Sequence, residues 1–172
     1  MAGGQEYFEV TPDLAVFGKA LGGGLPLACV VGPKDLLEEA RVVSSTFGGD
    51  TLALAAATAV LEAYAQNEVI TRLWEAGTAL QSALMASLAD LPLSLHGSPV
   101  CMVVSETPEP TGPSLLAMLR SECAKRGVLL EPNAIYPSAA MTPEVLARSV
   151  EALTEACSAV RQRAGGAERT RG

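Results

Sequence analysis

The chain has 172 residues, a one-domain length; about half are apolar and only 4% are aromatic, which favours Ala- and Leu-rich helices over an all-β architecture. The net charge of −7 argues against a nucleic-acid surface, which needs clustered Lys and Arg; the one basic cluster, from Arg161 to Arg171, is broken by Gly165 and Gly166 and reads as a frayed end. Cys29, Cys101, Cys123 and Cys157 form no Cys-x-x-Cys pair and His96 is the single histidine, so no metal site is expected. Free thiols in a reducing compartment are the default. No apolar run reaches the length of a membrane span, and the opening Met-Ala-Gly-Gly-Gln-Glu has no secretory character, so a cytoplasmic location is expected.

In chain order, Leu14-Ala15-Val16-Phe17 follows Thr11-Pro12-Asp13, ends at Gly18 and reads as a buried strand. Residues 27–31 read as a second buried strand of parallel type, bounded by Gly22-Gly23-Gly24 and Gly32-Pro33. Pro33 and the acids after it predict a short helix to about Arg41. A polar, glycine-containing loop covers residues 44–50. An alanine-rich helix, apolar on more than one side, runs from about Thr51 to Ala65.

Asn67-Glu68 breaks that helix and is the best domain boundary. The spacing of Leu73, Leu80, Leu84 and Leu88 predicts an amphipathic helix over 69–88. Residues 93–95 and 100–104 are strand candidates, and the three prolines in 107–113 mark a loop. A helix over 114–126 is closed by Gly127, and residues 128–130 read as a third strand. Thr142-Pro143-Glu144 starts a last helix that should end near Arg163.

Two places could carry chemistry. Lys19 stands just past an apolar strand and before three glycines; partial desolvation there would lower its pKa and favour the neutral, nucleophilic amine. The residues alone leave open a solvated lysine in a turn, and that is the commoner outcome of such a pattern. Ser44-Ser45-Thr46-Phe47-Gly48-Gly49 offers hydroxyls and N–H groups ahead of a helix and suits a phosphate, although an ordinary capping loop has the same composition. His96 has no second histidine or suggestively spaced acid, so no triad is supported.

Taken together, the segment from Thr11-Pro12-Asp13 through Phe17-Gly18-Lys19-Ala20-Leu21-Gly22-Gly23-Gly24 to Leu25-Pro26-Leu27 resembles the cofactor-lysine segment of class-III aminotransferases, with the glutamate-1-semialdehyde 2,1-aminomutases as the nearest pattern. Ser45-Thr46-Phe47-Gly48-Gly49 is similar to that family's phosphate-contact loop. Arg126-Gly127-Val128-Leu129-Leu130-Glu131-Pro132-Asn133, with Ser138-Ala139-Ala140-Met141-Thr142-Pro143-Glu144, resembles its C-terminal lobe. The resemblance implies an α/β fold: the C-terminal part of a fold-type-I transferase dependent on pyridoxal 5′-phosphate. Residues 1–66 would be a remnant of the large-domain sheet, 67–164 a small α+β C-terminal domain, and 165–172 a disordered tail.

It further implies amino-group transfer on a small amino or keto substrate, by transaminase or aminomutase chemistry, through a Schiff base on Lys19. Thr46 and Phe47 would contact cofactor, Thr46 binding the phosphate of the neighbouring subunit of a homodimer. Two departures stand out. The family loop usually continues Gly-Asn-Pro, whereas here it reads Gly49-Asp50-Thr51. The family's ring-pairing aspartate, ring-stacking aromatic and first phosphate-binding turn would lie before Met1, so a truncated, inactive or partner-dependent fragment is the alternative expectation.

Overall fold

A computed structural model describes residues 3–39, 45–66, 68–106, 114–131 and 134–169, the last five of them as backbone only. The chain divides into two compact units, Met1–Glu68 and Val69–Gly172.

The first unit begins with a single helical turn, α1 (Gly4–Tyr7), followed by strands β1 (Ala15–Phe17) and β2 (Cys29–Val31). The strands pair antiparallel, with Ala15 opposite Val31 and Phe17 opposite Cys29. This corrects the expectation of buried, parallel-type strands. Residues 18–28 are too few for a parallel crossover, which needs a dozen or more and usually a helix, so the chain can only fold back on itself. Nor are the strands buried: Val16 is 73% exposed and Val30 is 50% exposed. A short helix α2 (Lys34–Glu39) follows; residues 40–44, which include the expected end of that helix at Arg41 and the first residue of the expected loop, Ser44, lie outside the described residues.

Helix α3 (Thr51–Gln66) is started by Asp50, whose Oδ1 accepts the Ala53 N–H at 2.8 Å and whose carbonyl accepts the Leu54 N–H. Its sequence is apolar all round, which argues for cover on several sides. Along α3 the buried positions are Ala53 and Ala57, while Leu52, Leu54 and Leu61 are exposed.

The second unit has a core of its own. Helix α4 (Val69–Leu88) presents Leu80, Leu84 and Leu88 at four-residue spacing, and all three are buried; Leu73 is half-buried. The antiparallel hairpin of β3 (Leu93–Ser98) and β4 (Cys101–Glu106) adds Leu93, Met102 and Val104. Helices α5 (Leu115–Lys125) and α6 (Pro143–Arg169) close the cluster with Leu119, Cys123, Leu153, Cys157 and Val160. Gly77 of α4 is buried because the carbonyl of Pro99, in the β3–β4 turn, lies where a Cβ would stand.

The expected third strand at residues 128–130 does not form. The position next to β4 goes instead to Ile135, which exchanges both backbone hydrogen bonds with Met102 at 2.6 and 3.0 Å. Gly127 ends α5 as expected, in the left-handed region at φ 78°: its N–H donates to Ala124 and that of Val128 to Cys123. Thr142 caps α6, accepting the Val145 N–H at 3.3 Å, and the helix continues past Arg163 to Arg169, into the stretch expected to be disordered.

Two carboxylates do structural work between distant segments. Glu106, at the end of β4, accepts from Ser114 Oγ at 2.8 Å and from the N–H groups of Leu115 and Leu116, so it caps α5 from across the 107–113 segment. Burial pushes its pKa up, but those three hydrogen bonds outweigh burial and the net pKa is below the ordinary value. Glu122, 4% exposed, meets Lys125 at 2.7 Å and Arg126 at 2.8 Å on its own stretch of chain and Arg163 of α6 at 3.1 Å. The hydrogen bonds from Lys125 and Arg126 hold its pKa at about 2.

Replacing Leu84 with Ala should destabilise the second unit by about 3 kcal/mol, the usual cost of a large-to-small change at a fully buried leucine, read by urea unfolding. A loss below about 1 kcal/mol would mean the core is loosely packed. For Glu122, a depressed pKa means stability that is present above about pH 4.5 and lost as pH falls toward about 2. Glu122→Gln should therefore lower Tm at pH 7, with the gap to the parent narrowing steadily below about pH 4.5. A gap that stays constant from pH 7 to pH 3 would rule this account out.

Candidate functional site

The first unit carries both sequence candidates, each on its own local device. β1 ends at Phe17, Gly18 is extended, and Lys19 then takes φ 50°, a left-handed conformation that a residue with a side chain adopts at a cost of roughly 1–2 kcal/mol. From there the backbone tightens into a 3-10 turn (Lys19–Gly22), with Leu21 donating to Gly18 at 3.2 Å and Gly23 to Ala20 at 3.1 Å. Gly23, at φ 58°, lies against the side of α3; a Cβ there would stand 3.2 Å from Val60 Cγ2 and 3.8 Å from Ala56 Cβ. Gly22 is buried beneath the chain as it returns toward β2.

Lys19 itself is exposed, where partial burial at the mouth of a parallel sheet was expected. The physical reason is the strand pairing. Two short antiparallel strands make no enclosing sheet mouth, and nothing among the described residues of this unit roofs the amine.

The second candidate, Thr46 with Phe47, sits in a loop of two successive turns. Gly48 donates to the Ser45 carbonyl at 3.0 Å and Asp50 to the Phe47 carbonyl at 3.2 Å. Among the described residues, the N–H groups of Thr46 and Phe47 have no protein acceptor, and both residues are exposed. Free N–H groups and hydroxyls leading into a helix N-terminus suit a phosphate.

Helix α3 is common to both devices. The Lys19 turn rests on Ala56 and Val60, and the Thr46 loop runs into the helix start at Asp50. Six to ten residues of helix separate those points, roughly 9–15 Å along the axis. Lys19 and Thr46 are thus held at two levels of one helix rather than in a single cluster. Sequence reading noted Asp50 only as a departure from a pattern; its capping bond to Ala53 is visible only in the structure.

The other chemically notable residues lie in the second unit. His96 Nε2 is 3.0 Å from Ser105 Oγ on the exposed face of the hairpin, in keeping with a surface role. Burial pushes the Cys123 thiol up to about 12 and raises Cys157, which makes both poor nucleophiles. Cys101 is exposed and hydrogen-bonds with Tyr136. Among the described residues no group of three His, Cys, Asp or Glu side chains could hold a metal ion, and no helix is long and apolar enough to cross a membrane.

Comparison with known proteins gives a consistent picture. Residues 3–134 match the sequence profile of the class-III aminotransferases. Glutamate-1-semialdehyde 2,1-aminomutase 2 of Brevibacillus brevis is 29% identical over 91% of this chain and 41% of its own length. Ornithine aminotransferase of Emericella nidulans is 29% identical over 95% of this chain and 38% of its own. Among solved structures, the FumI protein of Sphingopyxis sp. MTA144, in its PLP internal aldimine form, superposes with a TM-score of 0.81 at 24% identity, covering 93% of this chain and 40% of that one. The chain thus spans about two fifths of the length of these proteins. The structural likeness establishes the fold: part of an α/β PLP-dependent transaminase fold.

Proposed function

This chain belongs to the class-III aminotransferase family, and from that premise we propose that it takes part in amino-group transfer dependent on pyridoxal 5′-phosphate, with Lys19 as the residue that holds the cofactor. The observation that carries the reading is the placement of Lys19: an exposed amine on a left-handed step between β1 and a glycine turn packed on α3. A backbone conformation that costs energy, at the one lysine of the family segment, is the kind of strain that gathers at functional sites.

The described residues fit the two ends of the cofactor. Lys19 Nζ has a free path to an aldehyde, and the unpaired N–H groups of Thr46 and Phe47 match a phosphate. When bound, pyridoxal phosphate supplies an electron sink that stabilises negative charge on the carbon bearing the amino group. Lys19 Nζ would hold the aldehyde end and, as a free amine, would take and return the proton of that carbon. Thr46 and Phe47 hold the phosphate, for the neighbouring subunit of a homodimer. The substrate class is a small amino or keto compound, used in transaminase or aminomutase fashion. Residues 1–66 are read as part of the cofactor-binding large domain and 67–164 as the small C-terminal domain. The unpaired Cys101 suits a reducing, cytoplasmic setting.

A second reading is favoured by one observation. Tyr7, Phe8, Val16, Val30, Val31 and Phe47 are all at least half exposed, so the first unit lacks cover for its apolar surface. A chain that depends on a partner to complete that surface, or an inactive remnant, fits this exposure.

Borohydride reduction of the chain mixed with pyridoxal phosphate, followed by peptide mass spectrometry, tests the first reading. Label on the Lys19 peptide, abolished in Lys19→Ala, is the expected result; label spread over several lysines would sink it. Sedimentation at increasing protein concentration separates the two readings. A discrete dimer that carries the Lys19 label supports the first, and polydisperse association without label supports the second.

A further inference from the structure

Resting on the cofactor reading above, we propose that Val60 is a positioning residue for Lys19: its side chain is the stop against which the glycine turn lodges, and through that turn it holds the Lys19 amine where an aldehyde is captured. The contact is close. A Cβ on Gly23 would stand 3.2 Å from Val60 Cγ2 and 3.9 Å from the Ala56 carbonyl oxygen, so bare backbone already lies against the flank of α3. Val60 is half-buried on a helix whose Leu54 and Leu61 are exposed.

Position travels from Gly23 to Lys19 through a stiff segment. Leu21 donates to the Gly18 carbonyl at 3.2 Å, Gly23 to Ala20 at 3.1 Å and Leu25 to Gly22 at 3.0 Å, so backbone from 18 to 25 is tied at three-residue intervals. The segment is also held on its other side. A Cβ on Gly18 would stand 3.4 Å from Ala28 Cβ, and one on Gly22 would stand 3.4 Å from the Leu27 nitrogen. Between these fixed points Lys19 takes φ 50°. A left-handed step at a residue other than glycine persists only where the surrounding structure over-determines it. Here the returning chain fixes one side and α3, through Val60, fixes the other. Without the Val60 side chain the turn can shift and Lys19 can relax to negative φ, which swings its Cα–Cβ bond and with it the direction of the amine.

The test is borohydride-trapped labelling of the full chain by pyridoxal phosphate. It is read as half-saturation at the Lys19 peptide relative to Lys34, whose side chain is 87% exposed and serves as the unpositioned lysine. Val60→Ala removes the γ-carbons and keeps α3, because alanine is the better helix former. Val60→Ile keeps both γ-carbons and the β-branch. Gly23→Ala leaves α3 untouched and lifts the turn, since its Cβ would meet Val60 and alanine disfavours a φ of 58°. The expected result is half-saturation at Lys19 about five- to tenfold weaker in Val60→Ala and in Gly23→Ala, with Lys34 labelling and helix content unchanged. Val60→Ile should stay within about twofold of the parent. A role in stability alone would lower Tm and leave the ratio of the two lysines where it was.

Lys19 labelling that leads Lys34 by the same margin in the parent, Val60→Ala and Gly23→Ala overturns the inference and leaves the cofactor reading intact. A loss in Val60→Ile as deep as in Val60→Ala overturns it too. Should Val60→Ala lose helix content, Gly23→Ala decides by the same criterion. Labelling of Lys19 no stronger than that of Lys34 in the parent overturns the cofactor reading and this inference with it.

Discussion

A Cβ on Gly23 would stand 3.2 Å from Val60 Cγ2, and that closeness of bare backbone to helix decides where Lys19 sits. The turn from Gly18 to Gly23 is drawn onto α3, Gly22 is buried under the returning chain, and Lys19 is the one residue other than glycine in that turn to take a positive φ. The same helix begins at Asp50, directly after the loop that carries Thr46. One alanine-rich helix therefore fixes the lysine turn at its middle and the phosphate-type loop at its start. The missing side chain of Gly23 and the small one of Ala56 let backbone come this close.

The two units are stabilised in different ways. The second buries leucines from α4 against a hairpin and two further helices, and ties α5 to its surroundings with Glu106 and Glu122. Among the described residues of the first unit only Ala53 and Ala57 are buried apolar side chains, too small to contribute much by burial. Its order rests on turns, a short strand pair and the α3 contact. The unit that carries the candidate chemistry is thus the one with least core, in keeping with the tendency of functional segments to come from the low-stability part of a structure.

The helices were legible because their signals are local. The leucine spacing of α4, the Ser114 start and Gly127 stop of α5, and the Thr142-Pro143 start of α6 each act through residues within a few positions. The strands were less so. Residues 128–130 and the neighbourhood of Ile135 are both short and apolar, and which of them lies beside β4 is decided by Met102, more than two dozen residues earlier. The sense of the β1–β2 pair was misread because an apolar run has the same pattern in either sense; only the length of the connection spoke against a parallel pair.

From the sequence alone came the lysine segment, the Thr46 loop and the family to which they point, because these depend on residue types in a fixed order along the chain. The exposure of Lys19, the capping of α5 by Glu106 and the gathering of Lys125, Arg126 and Arg163 around Glu122 came only with the tertiary structure. Glu106 reaches its helix across an intervening segment, and Arg163 is more than a helix length from Glu122 in sequence. Contacts of that kind are selected by packing, and no local pattern encodes which distant charge will be brought alongside.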